Sequence, residues 1–204
     1  MGNDTINNIQ SERKKTILNA AMKLFSETDF HEVTVDEIAH KAGLSKGTLY
    51  LYFKNKEDLF FSIIEEKSNE LFTRLENSIK YDMPFEKTLH NFIKAHLNFF
   101  KENKAYFKII HSEKCRMTMD DHYRMHDLGI KVFNQFLKHT ENLVKTGKKE
   151  NSIGNIDADI AARGLRGILN SFVYQWIFTN EKISIKEETY QIKNLFLYGV
   201  SKRN

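Results

Sequence analysis

Apolar positions in this 204-residue chain recur at three- and four-residue steps almost from end to end, the spacing of helices rather than strands. Ile17, Ala21, Leu24 and Phe25 share one face of a first helix expected from about Glu12 to Thr28, behind a polar, disordered tail at residues 1–10. Two short helices follow at Val35–Ala42 and Lys46–Tyr52. A fourth starts after Asn55, carries Leu59, Phe60, Ile63, Ile64, Leu71 and Leu75, and ends near Lys80. Pro84 suits the first turn of a fifth helix, Phe85–Lys101, and a hinge at Glu102–Asn103 separates it from a sixth, Lys104–His111. A seventh runs from Met119 to Lys145, TGKKENSIGN forms a loop, an eighth covers Asp157–Thr179 and a ninth Glu187–Ser201. No alternating Val/Ile/Thr run bounded by turn residues suggests a strand, so the expected class is all-α.

The segment TVDEIAHKAGLSKGTLYLYF, Thr34 to Phe53, carries the densest local signals. Thr34 with Glu37 forms an S/T-x-x-E capping box, and Ser45 can cap the helix that follows. Ala39 permits close helix approach, and Gly43 supplies a positive-φ turn. Leu44 and Leu49 lock the second helix of the pair onto the first. The pattern reads as a helix-turn-helix, whose second helix enters a DNA major groove N-terminal end first. Lys46 would then donate to guanine or phosphate, Gly47 would let backbone approach DNA, and Thr48 could touch a thymine methyl.

The flanking residues extend this signal. RKKTILNAAMKLFSETDFHEVTVDEIA upstream and YLYFKNKEDLF downstream, where Asn55 and Asp58 repeat the cap pattern, make Arg13 to Ile64 closely resemble the DNA-binding domain of TetR-family (AcrR-like) transcriptional regulators. The resemblance implies nine helices in two domains, a helix-turn-helix domain at 11–56 and an effector-binding and dimerisation domain at 57–204, linked through the fourth helix. It implies that Tyr50 and Tyr52 reach bases or phosphates, and that Thr34 and Lys56 contact backbone phosphate. It further implies a double-stranded operator as partner, a homodimer, and release by a small effector, as in a repressor. GTLYLYFKNKEDL and QWIFTNEK add a likeness to members that sense acyl-CoA or other lipophilic molecules. Phe99, Tyr106, Phe133, Phe136, Phe172 and Trp176 are the candidate lining of a pocket for a lipophilic or aromatic ligand. Small residues Ala161, Gly164, Gly167 and Ser171, with Ile168, mark a face of the eighth helix where a partner helix could approach closely.

Net charge adds little. The chain is +4, but residues 1–60 hold eight Lys/Arg against nine Asp/Glu, so placement rather than bulk charge carries the nucleic-acid reading. No window approaches eighteen uninterrupted apolar residues and the N-terminus lacks a signal-peptide layout, so no membrane segment and a cytoplasmic location are expected. The lone Cys115 forms no intrachain disulfide. His122 and His126 stand four apart near Asp121, His111 and Cys115, but no fixed third ligand is evident, and neither a metal nor another cofactor is expected. An enzyme built on that cluster is the competing class, and no nucleophile elbow, phosphate loop or zincin pattern supports it. An effector-independent DNA-binding protein is the other.

Overall fold

A computed structural model describes residues 2–111, 119–179, 182 and 184–199, with side chains described from residue 8 in the first helix and from residue 123 in the seventh. Among the described residues the regular elements are all helices: α1 (Gly2–Glu27), α2 (Val35–Lys41), α3 (Lys46–Tyr50), α4 (Lys56–Ser78), α5 (Phe85–Glu102), α6 (Lys104–Ile110), α7 (Met119–Lys149), α8 (Ala158–Thr179) and α9 (Ile185–Tyr198). They divide into two compact units, one of residues 1–67 and 105–127 and one of 68–104 and 128–204. Both α4 and α7 run from one unit into the other.

The first unit is built on aromatic packing. Ile17, Leu18, Ala21 and Phe25 form the buried stripe of α1. Phe25, Phe30 and Phe60 meet with ring centroids 5.2, 5.6 and 5.3 Å apart, joining α1, the turn that follows it and α4. Ile38 and Ala39 of α2 and Leu49 of α3 complete this core. α1 begins at Gly2, ahead of the Glu12 start read from the sequence, and residues 8–16 of it are exposed. A helix anchored from Ile17 onward needs no new nucleus to extend backward, so polar residues can propagate it.

In the second unit, α5 buries Phe85, Leu89, Phe92, Ile93, His96, Leu97 and Phe100 and packs against α8 and α9. The residues TGKK continue α7 rather than opening the loop. The helix ends in a Schellman motif: Asn151 adopts φ 54°, its amide donates to Lys148 O (3.1 Å), and the Ser152 amide donates to Gly147 O (2.8 Å). Glu150 in this turn accepts the Phe85 amide at 2.8 Å, satisfying an α5 N-terminus that its Pro84 cap cannot. Ser184 caps α9 by accepting the Glu187 amide, which starts that helix at Ile185 rather than Glu187. No helix among the described residues is long and apolar enough to cross a membrane.

Gly147 is the most closely approached of the described glycines. A Cβ there would lie 2.6 Å from Ile153 Cδ1 and 2.9 Å from Phe85 Cδ2. Gly147→Ala should destabilise the protein by up to about 2 kcal/mol, because overpacking of about 1–3 kcal/mol is offset by only ~1 kcal/mol gained in helix propensity. Urea unfolding checks this; a variant as stable as the parent would show that Ile153 yields freely.

Candidate nucleic-acid interface

The local geometry of α2 and α3 follows from their caps. The Glu37 amide donates to Thr34 Oγ1 (3.2 Å), while the Thr34 amide and hydroxyl donate to Glu37 Oε2 at 2.7 and 2.8 Å. These bonds hold the Glu37 carboxyl below its ordinary pKa, the backbone bond contributing most. Gly43 turns the chain at φ 68°, with its amide on His40 O (3.0 Å) and the Leu44 amide on Ala39 O (2.9 Å). Ser45 then caps α3 by accepting the Thr48 amide at 3.1 Å. Leu49, 1% exposed, pins α3 inward. The opposite side presents Ser45, Lys46, Gly47 and Tyr50 to solvent, with Thr48 and Tyr52 half-buried at its margins. A Cβ at Gly47 would meet nothing closer than Ser45 Oγ at 3.9 Å, so the backbone there faces open space. Lys46 Nζ donates to Asp36 Oδ2 at 2.7 Å across the pair, a bond that raises the lysine pKa.

Comparison with known proteins agrees with this geometry. Residues 17–63 match the model of bacterial regulatory proteins of the tetR family, and residues 64–199 match that of the YsiA-like protein C-terminal region. The chain is a TetR-family transcriptional regulator. The regulator is 23% identical over 185 residues to the fatty acid metabolism regulator protein of Bacillus subtilis, covering 90% of this chain and 93% of that one. In fold it resembles the fatty acid degradation regulator FadR of Bacillus halodurans (TM-score 0.81, 22% identity, 94% and 97% of the two chains covered). It also resembles FadR of Bacillus subtilis, solved in complex with stearoyl-CoA (TM-score 0.77, 23% identity, 92% and 99% covered).

Two residues assigned to phosphate by resemblance are otherwise engaged. The Thr34 hydroxyl is held within the capping box. Lys56 turns inward: its ammonium donates to Phe30 O (2.6 Å), His31 O (3.3 Å) and Val33 O (2.9 Å) and lies 4.4 Å from the Phe30 ring centre. An ammonium has three donors, and all are used. Burial pushes the Lys56 pKa down. In this structure Lys56 fastens the α1–α2 turn onto the start of α4. Conversely, Leu51, 83% exposed beside Tyr50, was absent from the sequence assignment. Its signal is an apolar residue on the outer side of a helix whose inner side is already filled by Leu49.

The α8 face also differs by one position from the reading. Gly164, Gly167 and Ser171 are exposed and Ile168 is half-buried, but Ala161 is core at 3% exposure. The exposed line is Ile160, Gly164, Gly167, Ser171, Tyr174 and Phe178, a four–three–four–three–four spacing that could have been read from the sequence. On α9, Tyr190 and Tyr198 are likewise exposed.

Of the six candidate lining residues, Tyr106 belongs to the first unit and the other five to the second. Phe99, Tyr106, Phe136 and Trp176 are buried, whereas Phe133 and Phe172 are half-buried. Arg74 lies over Phe99 (5.5 Å), Lys104 over Trp176 (4.9 Å), and both Arg163 (5.5 Å) and Arg166 (4.4 Å) over Phe133. Near them, His96 is 1% exposed and its Nδ1 has no hydrogen-bond partner. Burial, assisted by the Arg166 charge, pushes its pKa down to about 3. Of the histidine cluster, His111 and His126 are exposed, His126 lying 3.6 Å from Asp127. Cys115 and the side chains of Asp121 and His122 lie outside the described residues, and no group of three potential metal ligands occurs among those described.

Lys56→Met should therefore lower stability by about 1–3 kcal/mol, the worth of hydrogen bonds to a charged donor. In the folded variant the slope of log affinity for DNA against log salt should not change, whereas loss of one phosphate contact would shift that slope by about 0.9. Unfolding and salt titrations on the same preparation separate the two roles.

Proposed function

We propose that this regulator is a cytoplasmic repressor that binds a pseudo-palindromic operator as a homodimer and is released by a small lipophilic effector. The observation that carries the DNA reading is the exposed side of α3, where Lys46, Gly47 and Tyr50 stand opposite the buried Leu49. Thr48, Tyr52 and Ser45 border that surface, and Leu51 adds an apolar patch suited to a thymine methyl. Moving Lys46 from Asp36 to guanine replaces an exposed ion pair by a charge-assisted hydrogen bond to a neutral base, and because an exposed pair is worth little, little is lost on release of the intramolecular bond. The amides at the start of α4 remain the candidate phosphate donors in place of the Lys56 ammonium.

The dimer reading is supported by the exposed seam on α8 with Tyr190 and Tyr198 on α9. Two half-sites about 34–36 Å apart require two recognition helices held at fixed spacing. The lipophilic effector is supported by the half-buried Phe133 and Phe172 in an aromatic region, and by the stearoyl-CoA held by the Bacillus subtilis neighbour. Because α4 continues from the first unit into the second, a ligand that favours one position of α4 would bias the spacing of the recognition helices.

Lys46→Ala and Tyr50→Ala should each weaken the specific operator complex about 10–100-fold, with non-specific DNA affected less. A mobility-shift assay against operator and scrambled DNA decides; a double variant that still footprints the operator would remove α3 from the recognition role.

Gly164→Leu and Gly167→Leu test the seam cleanly. A Cβ at either position meets nothing within 4 Å in the same chain, so the protomer should fold at least as well as the parent. Sedimentation should nevertheless show dimer dissociation strengthened about tenfold or more, as overpacking acts only across the partner. An unchanged dimer would place the interface elsewhere.

A further inference from the structure

We infer that Arg166 and His96 form a head-group subsite of the effector site, and that it takes the anionic end of a long-chain acyl ligand. The inference rests on the lipophilic-effector reading above and adds what that reading leaves open, the polar end of the ligand.

The second unit sets four cations on aromatic faces, and they are not equivalent. Arg74 is neutralised by Glu70 (2.6 Å) and Glu102 (2.7 Å), and Arg163 by Asp159 (2.7 Å). Lys104, over Trp176, is exposed to water. Arg166 alone is half-buried without a carboxylate among the described residues, its guanidinium lying on Phe133. Desolvation by burial lowers its pKa, as fits a guanidinium drawn partly out of water.

The second observation is independent of the first. His96 stands on the buried stripe of α5 between Phe100 (4.9 Å) and Phe136 (5.8 Å), with Nδ1 buried and unpartnered. Buried polar atoms are almost always satisfied, and an orphan is a feature in need of a partner. Burial first, and then the charge of Arg166, disfavour its protonation, so the imidazole stays neutral and can offer one N–H as a donor.

A half-desolvated guanidinium without its counter-ion, beside a buried histidine without its hydrogen bond, matches one missing group: an oxyanion. Phe92, Phe133 and Phe136 surround this position with apolar surface suited to the chain attached to it. Arg163, already paired with Asp159, also lies 5.5 Å from the centre of the Phe133 ring. An acyl ligand supplies the anion either as its own carboxylate or as the phosphates of a carrier thioester.

The test is calorimetric titration of the 204-residue protein with palmitate, palmitoyl-CoA and the neutral 1-hexadecanol. Whichever anionic probe binds the parent names the source of the charge. Arg166→Gln should weaken that probe about 10–100-fold, the range for a charge-assisted contact, and change hexadecanol by less than about threefold. Arg166→Lys should restore part of the loss. His96→Leu removes the orphan nitrogen with a side chain of similar volume, and it should weaken the anionic probe selectively while remaining folded. Equal losses for the anionic and neutral ligands would overturn the subsite, as would binding of hexadecanol alone to the parent. If none of the three binds, the long-chain effector reading fails and the subsite with it. Melting curves of each variant, expected within a few degrees of the parent, exclude misfolding as the cause.

Discussion

Three rings and one ammonium hold the DNA-reading unit in register. Phe25, Phe30 and Phe60 pack at centroid distances of 5.2 to 5.6 Å, and Lys56 closes over Phe30 while gripping the carbonyls of residues 30, 31 and 33. The turn between α1 and α2 has no regular hydrogen-bond ladder of its own, so its carbonyls need donors from elsewhere. Lys56 is that donor, and it sits in the first turn of α4. The position of α2, and through the Gly43 turn that of α3, is thereby referred to the start of the helix that also enters the second unit. A recognition helix of five residues cannot define its own orientation, because isolated short helices are not stable in water. Its precision is borrowed from this anchor.

The parts of the fold that were legible in the sequence are those decided by neighbours within one turn of helix. Thr34 with Glu37, Ser45, Asn55 with Asp58 and Gly43 each state a local hydrogen-bond pattern, and each appears where its spacing requires. The direction of Lys56 is different in kind. A lysine in a first helical turn can reach outward to a phosphate or inward to carbonyls, and only the folded position of residues 30–33, far away in sequence, selects the second. The same holds for Gly147: nothing local distinguishes it from a loop glycine, since its reason is the approach of Ile153 and Phe85. On α8 the small-residue cluster was legible, but Ala161 was assigned outward because size alone was read. The heptad spacing from Ile160 to Phe178 is the stronger criterion, and it places Ala161 on the buried side.

The second unit departs from an optimised core in one region. Among the described residues its other buried side-chain polar atoms have partners: Thr140 donates to Phe136 O at 2.9 Å and Asn103 to Phe99 O at 2.9 Å, while Glu150 answers the bare N-terminus of α5. A domain that served only to hold two recognition helices apart would gain stability from the same completeness around His96 and Arg166. Replacing the histidine by an apolar residue, or adding a carboxylate opposite the arginine, is within easy mutational reach. Incompleteness of this kind is characteristic of functional sites, where local optimisation is given up in favour of activity.

That argument also constrains regulation. On the proposed mechanism a ligand would shift the DNA-binding equilibrium only by the difference in its affinity for the DNA-binding and released states, and a purely apolar chain, whose contacts are non-directional, would discriminate poorly between them. Charge-assisted contacts fall off steeply with distance and angle, so a head group fixed by Arg166 and His96 on α8 and α5 would be far more sensitive to small helix displacements. The chain supplies affinity and the head group supplies discrimination. On this view the long aromatic lining and the sparse polar pair are not redundant. An effector with the right length but no anionic end would occupy the site without releasing DNA, because equal affinity for both states moves neither.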